Sequence, residues 1–305
     1  MLAFITWNVD PVIFSIGALQ IRWYGLLWAV GIYFCYLTQV KFYKHENCPP
    51  EWIDKLFVYM VTGVIVGARL GHCWFYEWYD VTNPALSAYC HSVGLSTEPI
   101  QIFSWNINYR NPYIEHPFEL LKIWQGGLSS HGGAAGLIFM GWLLDRKHFH
   151  KGIAWLFDKL VIGICITATC IRLGNLMNSE IYGNPTTMPW GFIFVRDPQV
   201  PVDASGNPLP CHPTQIYEMM YCIFAFIVTW FMYWKTNASK RHGLILGVFF
   251  EIIFITRFGL EFMKLDQEAF EQNMVFNMGQ WLSVPFIIWG AYLIAHALRT
   301  KPLRG

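Results

Sequence analysis

Four basic side chains, Arg69, Lys159, Arg172 and Arg257, stand inside runs of this sequence that are otherwise apolar, and His131 stands among glycines in GGLSSHGGAAG. An arginine at the centre of a bilayer costs roughly 2.5–3.5 kcal/mol, so three left facing lipid would cost about 8–10 kcal/mol together. They must face a cavity, a partner or a ligand headgroup. A guanidinium stays charged when buried and binds phosphate through parallel hydrogen bonds, so the set suits an anionic lipid. Helical spacing groups the residues further. Arg257, Glu261 and Lys264 fall at i, i+4 and i+7, and Arg172, Asn175 and Ser179 at i, i+3 and i+7, with Asn178 and Glu180 at the end of the same run. Two polar stripes of this kind suggest a wet cleft between helices. The plainer alternative is a buried Arg257–Glu261 ion pair that only fixes helix packing. Lys159, beside Asp158 near a span end, is accounted for by snorkelling or pairing. Near Arg69, Gly63, Gly67 and Gly71 recur every four residues and permit close helix approach.

Glycines 126, 127, 132, 133 and 136 around His131 weaken a helix by up to about 1 kcal/mol each relative to alanine, which points to close backbone approach or a bent helix start. A histidine there titrates near neutral pH, or it is a hydrogen-bonded packing residue at a tight crossing. No further ligands stand at metal-site spacing around it, so no metal is expected. The segment CHPTQIYE, Cys211 to Glu218, reads as a helix-initiating turn with Pro213 at the start and Tyr217 at the interface.

The elements that must position these groups are membrane helices. Of 305 residues, 54% are apolar and 13% charged, against roughly 25% charged in soluble domains. The net charge of +1 and the lack of a glycine-rich phosphate loop exclude nucleic-acid and nucleotide binding, and no cofactor is indicated. Fifteen Trp and 15 Tyr suit interfacial belts. The eight cysteines form no C-x-x-C pair. The start, MLAFITWNVDP, has no basic n-region or cleavage site, so the first span is expected to target the chain. Seven runs reach the ~20 apolar residues a span needs, near Trp23–Val40, Leu56–Tyr76, Leu128–Leu144, Ile153–Met177, Thr214–Trp234, Gly243–Met263 and Met278–Leu298. Val12–Ile21 is too short to span and is expected in the interface. Twelve Lys and Arg fall in four alternate segments and five in the opposite set, which predicts the N-terminus outside and the C-terminus in the cytoplasm. The prediction is therefore an all-α polytopic membrane protein, a single transmembrane domain over 1–305, with two long extracytoplasmic loops at about 77–127 and 178–213.

In order along the chain, DPVIFSIG, WYGLLW, GARLGHCWFYEW, GGLSSHGGAAG, RLGNLMNSEIYG, HPTQIYE, RFGLEFMK and MGQWLSVP resemble the bacterial prolipoprotein diacylglyceryl transferase family. Eight ordered matches are far more specific than any one of them. The resemblance implies transfer of the diacylglyceryl group of phosphatidylglycerol to the lipobox cysteine of a prelipoprotein, with glycerol 1-phosphate leaving, at the outer side of the bacterial inner membrane. It carries the family's essential histidine onto His131, and the arginine, asparagine, glutamate and final glycine of its signature onto Arg172, Asn175, Glu180 and Gly183. The sixth-span arginine and glutamate fall on Arg257 and Glu261, and the tyrosine of WYGL on Tyr24. Three positions depart from the family. Ser179 stands where a glycine is usual, Ile253 where a tyrosine is usual, and Lys264-Leu265-Asp266 replaces a basic-x-Pro-Asp run.

In such a reaction the phosphate passes from charge −1 toward −2, so fixed cations bind the transition state better than the ground state. Arg172 and Arg257 are assigned to that clamp, Asn175 to a neutral donor, and Arg69 to a weaker substrate contact or a structural role. A thiol of pKa near ~8.5 needs a base, for which His131 leads and Glu180 or Glu261 follow. The expected partners are phosphatidylglycerol, lipobox peptides and membrane lipid, with the chain acting as a monomer. Cys90 and Cys211, in the two long loops, are placed where a disulfide is conceivable. The competing class is a phospholipid transporter or scramblase with an arginine-lined cleft, against which the lack of an internal repeat speaks.

Overall fold

The computed structural model describes residues 4–17, 19–75, 77–80, 90, 94, 100–102, 105–107, 109–122, 129–264 and 276–300. Seven long helices stand among them: α1 (Trp23–His45), α2 (Glu51–Phe75), α3 (Ser130–Leu144), α4 (Ile153–Met177), α5 (Thr214–Lys235), α6 (Leu244–Leu260) and α7 (Met278–Arg299). Five of these, α1, α2, α4, α5 and α7, are long and apolar enough to cross a membrane, and the protein is a multi-pass membrane protein. Helix α3 has 15 residues and runs into a π-helical turn at Asp145–Phe149; α6 has 17 and runs into a 3-10 turn at Glu261–Met263.

The chain is mostly helical but not wholly so. The apolar stretch expected in the interface is a hairpin, β2 (Val12–Ile16) against β3 (Leu19–Arg22), turning at Gly17 with φ +59°. Ahead of it, β1 (Ile5–Trp7) runs parallel to β4 (Phe192–Phe194), and the Trp7 indole donates to the Leu176 carbonyl at 2.8 Å. Short strand pairs join Tyr79–Asp80 to Tyr109–Arg110 and Ile100–Ile102 to Trp105–Ile107.

The chain divides into two compact units, residues 1–48 with 154–305, and residues 49–153. In the second, α2 and α3 meet through glycine. A Cβ added to Gly67 would lie 2.4 Å from the Gly132 carbonyl oxygen, and one added to Gly136 would lie 2.0 Å from that of Gly63. The small residues spaced by four are therefore the contact itself, backbone on backbone. Ser129 caps α3, its hydroxyl accepting from Gly132 N at 3.3 Å while its own N–H donates to the Ala68 carbonyl at 2.9 Å.

In the first unit α4 is the most enclosed helix, and its adjacent charges separate. Consecutive helical residues point about 100° apart, so Lys159 does not need Asp158. It pairs with Glu46, which caps the end of α1, at 3.0 Å, and Glu46 also accepts from Tyr233 and from the Trp155 indole, each at 2.8 Å. The Asp158 carboxylate instead accepts from Gly243 N at 2.6 Å and Leu246 N at 2.8 Å, capping α6 from a neighbouring helix. Helix α7 opens on a capping box in which Asn277 and Gln280 bond each other's backbone.

The paired cysteines conceivable from the sequence are not formed. Cys211 is a free thiol buried among Leu176, Tyr182, Phe192, Phe194 and Val200, and Cys90 is buried against Tyr79.

Candidate active site

In the first unit, the last turns of α4 deliver Arg172 and Asn175, and the chain then turns sharply through Asn178, Ser179, Glu180 and Ile181 to Gly183. Two residues of that turn, Ser179 at φ +56° and Ile181 at φ +59°, are left-handed. This conformation costs a non-glycine residue on the order of 1–3 kcal/mol, and it persists only where the surroundings hold it. Glu180 stands between the two. At φ +56° a glycine is the residue expected, which accounts for the glycine usual at this position and leaves Ser179 as a strained departure.

The surroundings that hold the turn come from the segment leading into α5. Thr214 Oγ1 donates to the Ile181 carbonyl at 2.8 Å, Gln215 Nε2 donates to the Glu180 carbonyl at 2.6 Å, and Gly183 N donates to the His212 carbonyl at 2.8 Å. Gly183 has no room for a side chain, since an added Cβ would lie 2.4 Å from the Met263 carbonyl and 2.8 Å from Thr214 Cγ2. It forms a bridge with Lys264, fastening the turn to the end of α6. Gly183, expected among the substrate-binding residues, is also the point where three segments cross.

A chain of charged and amide groups runs through this region. Lys264 Nζ lies 2.8 Å from Glu218 Oε1, and Glu218 Oε2 lies 2.8 Å from Arg172 Nε. The second contact is a close ion pair without an aligned hydrogen bond. Arg172 Nη1 donates to Asn175 Oδ1 at 3.3 Å, and Asn175 Nδ2 donates to Glu180 Oε1 at 2.7 Å, where Asn178 Nδ2 also arrives at 3.2 Å. Glu261 pairs with Lys264 at 3.3 Å, not with Arg257. The plainer alternative, an Arg257–Glu261 ion pair, is therefore not what the described residues form, although Glu261 N–H still bonds the Arg257 carbonyl at the end of α6; the carboxylate goes to Lys264 three residues on. Arg257 itself is half-buried, with no carboxylate at ion-pair distance among the described residues. It shares Tyr221 as an electrostatic neighbour with Arg172.

Tyr24, at the start of α1, packs where Gly174 leaves space, since a Cβ there would meet the Tyr24 ring at 2.9 Å. It lies within electrostatic range of Glu180 and Arg172. Beside it opens a cavity of about 470 Å³ lined by Gln20, Ile21, Arg22, Tyr24, Gly25, Leu26 and Asn178, a volume within the range of small-ligand sites. His212 Nδ1 lies 3.2 Å from the Tyr217 hydroxyl, which accepts from the Trp190 indole at 2.7 Å; burial holds this imidazole below its ordinary value.

Two expected site residues belong to the other unit. His131 is exposed on the first turn of α3. Arg69 is buried, with Nε donating to the Leu120 carbonyl at 3.1 Å and Nη2 to the Glu119 carbonyl at 2.8 Å, and its guanidinium lies over the Tyr113 ring. Arg69 therefore tethers the segment Pro117–Leu121.

Sequence reasoning missed Glu218, Thr214, Gln215 and the inward turn of Lys264. The signal was present in HPTQIYE, whose polar residues fall at i, i+1 and i+4 on one helix start, but a helix-initiating turn accounted for them equally well.

Comparison with known proteins gives a prolipoprotein diacylglyceryl transferase signature over residues 11–98 and 100–296. Among curated relatives, the chain is 40% identical to a phosphatidylglycerol–prolipoprotein diacylglyceryl transferase of Porphyromonas gingivalis, over 97% of this chain and 96% of the relative. It is 37% identical to the protein of that name from Tolumonas auensis, over 97% and 98%. With that from Chloroherpeton thalassium it shares 36%, over 99% and 97%.

Proposed function

The chain belongs to the prolipoprotein diacylglyceryl transferase family, and from that premise we propose that it transfers the diacylglyceryl group of phosphatidylglycerol to the lipobox cysteine of prelipoproteins. The full-length family match carries this reading, because it takes in every segment that contributes to the site. The bond broken joins the glyceryl carbon to the phosphate oxygen; the bond formed joins that carbon to the cysteine sulfur. Glycerol 1-phosphate leaves, and the thiol proton passes to a base.

Charge grows on the departing phosphate, so cations fixed before the reaction stabilise the transition state without reorganising. Arg172 and Arg257 supply that charge, Asn175 orients Arg172, and Glu180 and Tyr24 border the headgroup space. Because Glu218 engages Arg172 Nε and Asn175 engages Nη1, the phosphate is met by the free outer end of the guanidinium rather than by its Nε edge.

His131 is the proposed base; its assignment rests on the HGG motif. Residues 1–305 act as one seven-span domain in the inner membrane, monomeric, with the N-terminus, the loops near 77–127 and 178–213 and the active site outside; the alternation of basic loops supports this orientation.

The test is direct. Purified protein, phosphatidylglycerol vesicles and a lipobox peptide should give a peptide heavier by one diacylglyceryl group, and an unchanged peptide mass would refute the reading. His131→Gln should abolish transfer while leaving lipid binding measurable; full turnover in that variant would remove His131 as base.

A further inference from the structure

The start of α5 is the most deeply enclosed polar segment of the first unit. Thr214, Gln215 and Glu218 are each 0% exposed, so none of them touches lipid or peptide. Each is nevertheless bonded to a different part of the site. Thr214 and Gln215 hold the carbonyls of Ile181 and Glu180, the two peptide units that frame the strained turn. Glu218 holds two cations at once, Arg172 and Lys264, each at 2.8 Å. The polar chain from Lys264 through Glu218, Arg172 and Asn175 to Glu180 is thus fastened at both ends by one helix start, Glu218 at one end and Gln215 at the other.

We propose that Gln215 and Glu218 are positioning residues of the transferase. Gln215 fixes the backbone that presents Glu180, and Glu218 sets both the direction and the effective charge of the phosphate clamp. Glu218 is also an internal anion. Its charge offsets those of Arg172 and Lys264, which keeps the free site from binding glycerol phosphate too firmly. The inference rests on the clamp role given to Arg172 above.

It separates experimentally from that role and from a merely structural one. Glu218→Gln keeps the shape and removes the charge. Arg172 is then no longer held and the site gains one positive charge, so kcat should fall at least tenfold while inhibition by added sn-glycerol 1-phosphate tightens threefold or more. A loss of folded enzyme would lower kcat but leave the inhibition constant unmoved. Gln215→Met removes a neutral donor, and should lower kcat per folded enzyme, with the folded fraction counted by phosphatidylglycerol binding, without changing the inhibition constant. Unaltered kcat in either variant would overturn the proposal, and so would a lowered kcat in Glu218→Gln with an unchanged inhibition constant. If Glu218→Gln does not fold in detergent, Glu218→Asp carries the test. It retains the charge but draws the carboxylate back by one methylene, so a folded enzyme with reduced kcat and unchanged inhibition supports positioning, and wild-type kcat overturns it. Failure of the wild-type enzyme to modify the peptide would instead sink the transferase reading itself.

Discussion

Gly133 and Gly136 lie one turn apart on α3, both against α2, and alanine should have opposite effects at the two. An added Cβ at Gly133 meets Ala68 Cβ at 3.5 Å and the Val64 carbonyl at 3.6 Å, ordinary contacts. At Gly136 it meets the Gly63 carbonyl at 2.0 Å and Gly67 Cα at 2.9 Å, both backbone atoms that no rotamer change can move. Accommodating it requires the helices to part by roughly 1 Å, which forfeits much of the dispersion energy along the seam. Overpacking of this kind costs about 1–3 kcal/mol, and the obstruction being main chain places Gly136→Ala in the upper half. Against this, alanine gains up to about 1 kcal/mol of helix propensity at either position. Gly136→Ala should therefore be destabilised by about 1–2 kcal/mol and Gly133→Ala neutral to about 1 kcal/mol more stable, a contrast of about fivefold or more in the folded ratio. Thermal unfolding in detergent, followed with a thiol-reactive dye that reports exposure of the buried Cys73 on α2, reads the difference. Equal midpoints for the two variants would refute the claim that backbone contact at Gly136 sets the α2–α3 distance.

Burial pushes the Cys211 thiol up to about 11, so at pH 8 only on the order of a thousandth of it is thiolate. Iodoacetamide should leave Cys211 unmodified in the native protein and label it after denaturation; a disulfide-linked Cys211 peptide in a non-reduced digest would contradict the free Cys211 thiol. Ser179→Gly relieves a left-handed residue and loosens the unfolded chain, opposing effects of about 1–2 and 0.4–1 kcal/mol. It should raise stability by about 0.5–1 kcal/mol, and a lowered unfolding midpoint would mean that the serine hydroxyl contributes more than its backbone costs.

The helices were legible because an apolar run bounded by polar residues has few alternatives inside a membrane: α4 begins and ends where its run does, at Ile153 and Met177. The glycines of α2 and α3 were equally informative, since a four-residue repeat of glycine permits one kind of contact. The hairpin at Val12–Arg22 was not legible from length and hydropathy, which do not distinguish an interfacial helix from two short strands turning at Gly17. Partners of Asp158 and Arg257 were misread for a common reason. Nearness in sequence suggested Lys159 and Glu261, whereas Asp158 reaches backbone N–H groups of α6, and the Glu261 carboxylate goes to Lys264. The hold of Thr214 and Gln215 on the turn was the least legible feature. What they bind are main-chain carbonyls 33 and 35 residues away, which leave no mark on side-chain identity.

The two arginines proposed for the clamp stand in different electrostatic positions, and this makes them unequal under the mildest substitution. Arg172 uses one planar group to reach Glu218 through Nε and Asn175 through Nη1. A lysine carries the charge as a point at the end of a flexible stem and cannot span both partners while still meeting a phosphate. Loss of one charge-assisted bond is worth about 1.5–3 kcal/mol, so Arg172→Lys should lower kcat/KM by about tenfold to a hundredfold. Arg257 has no carboxylate at ion-pair distance among the described residues, so its contribution is chiefly its charge, which lysine keeps. Arg257→Lys should therefore retain at least tenfold more kcat/KM than Arg172→Lys, while Arg257→Gln, which loses the charge, should fall to the level of Arg172→Lys or below. Activity in Arg172→Lys equal to or above that of Arg257→Lys would show that the contacts of Arg172 to Glu218 and Asn175 do not govern how it meets the phosphate.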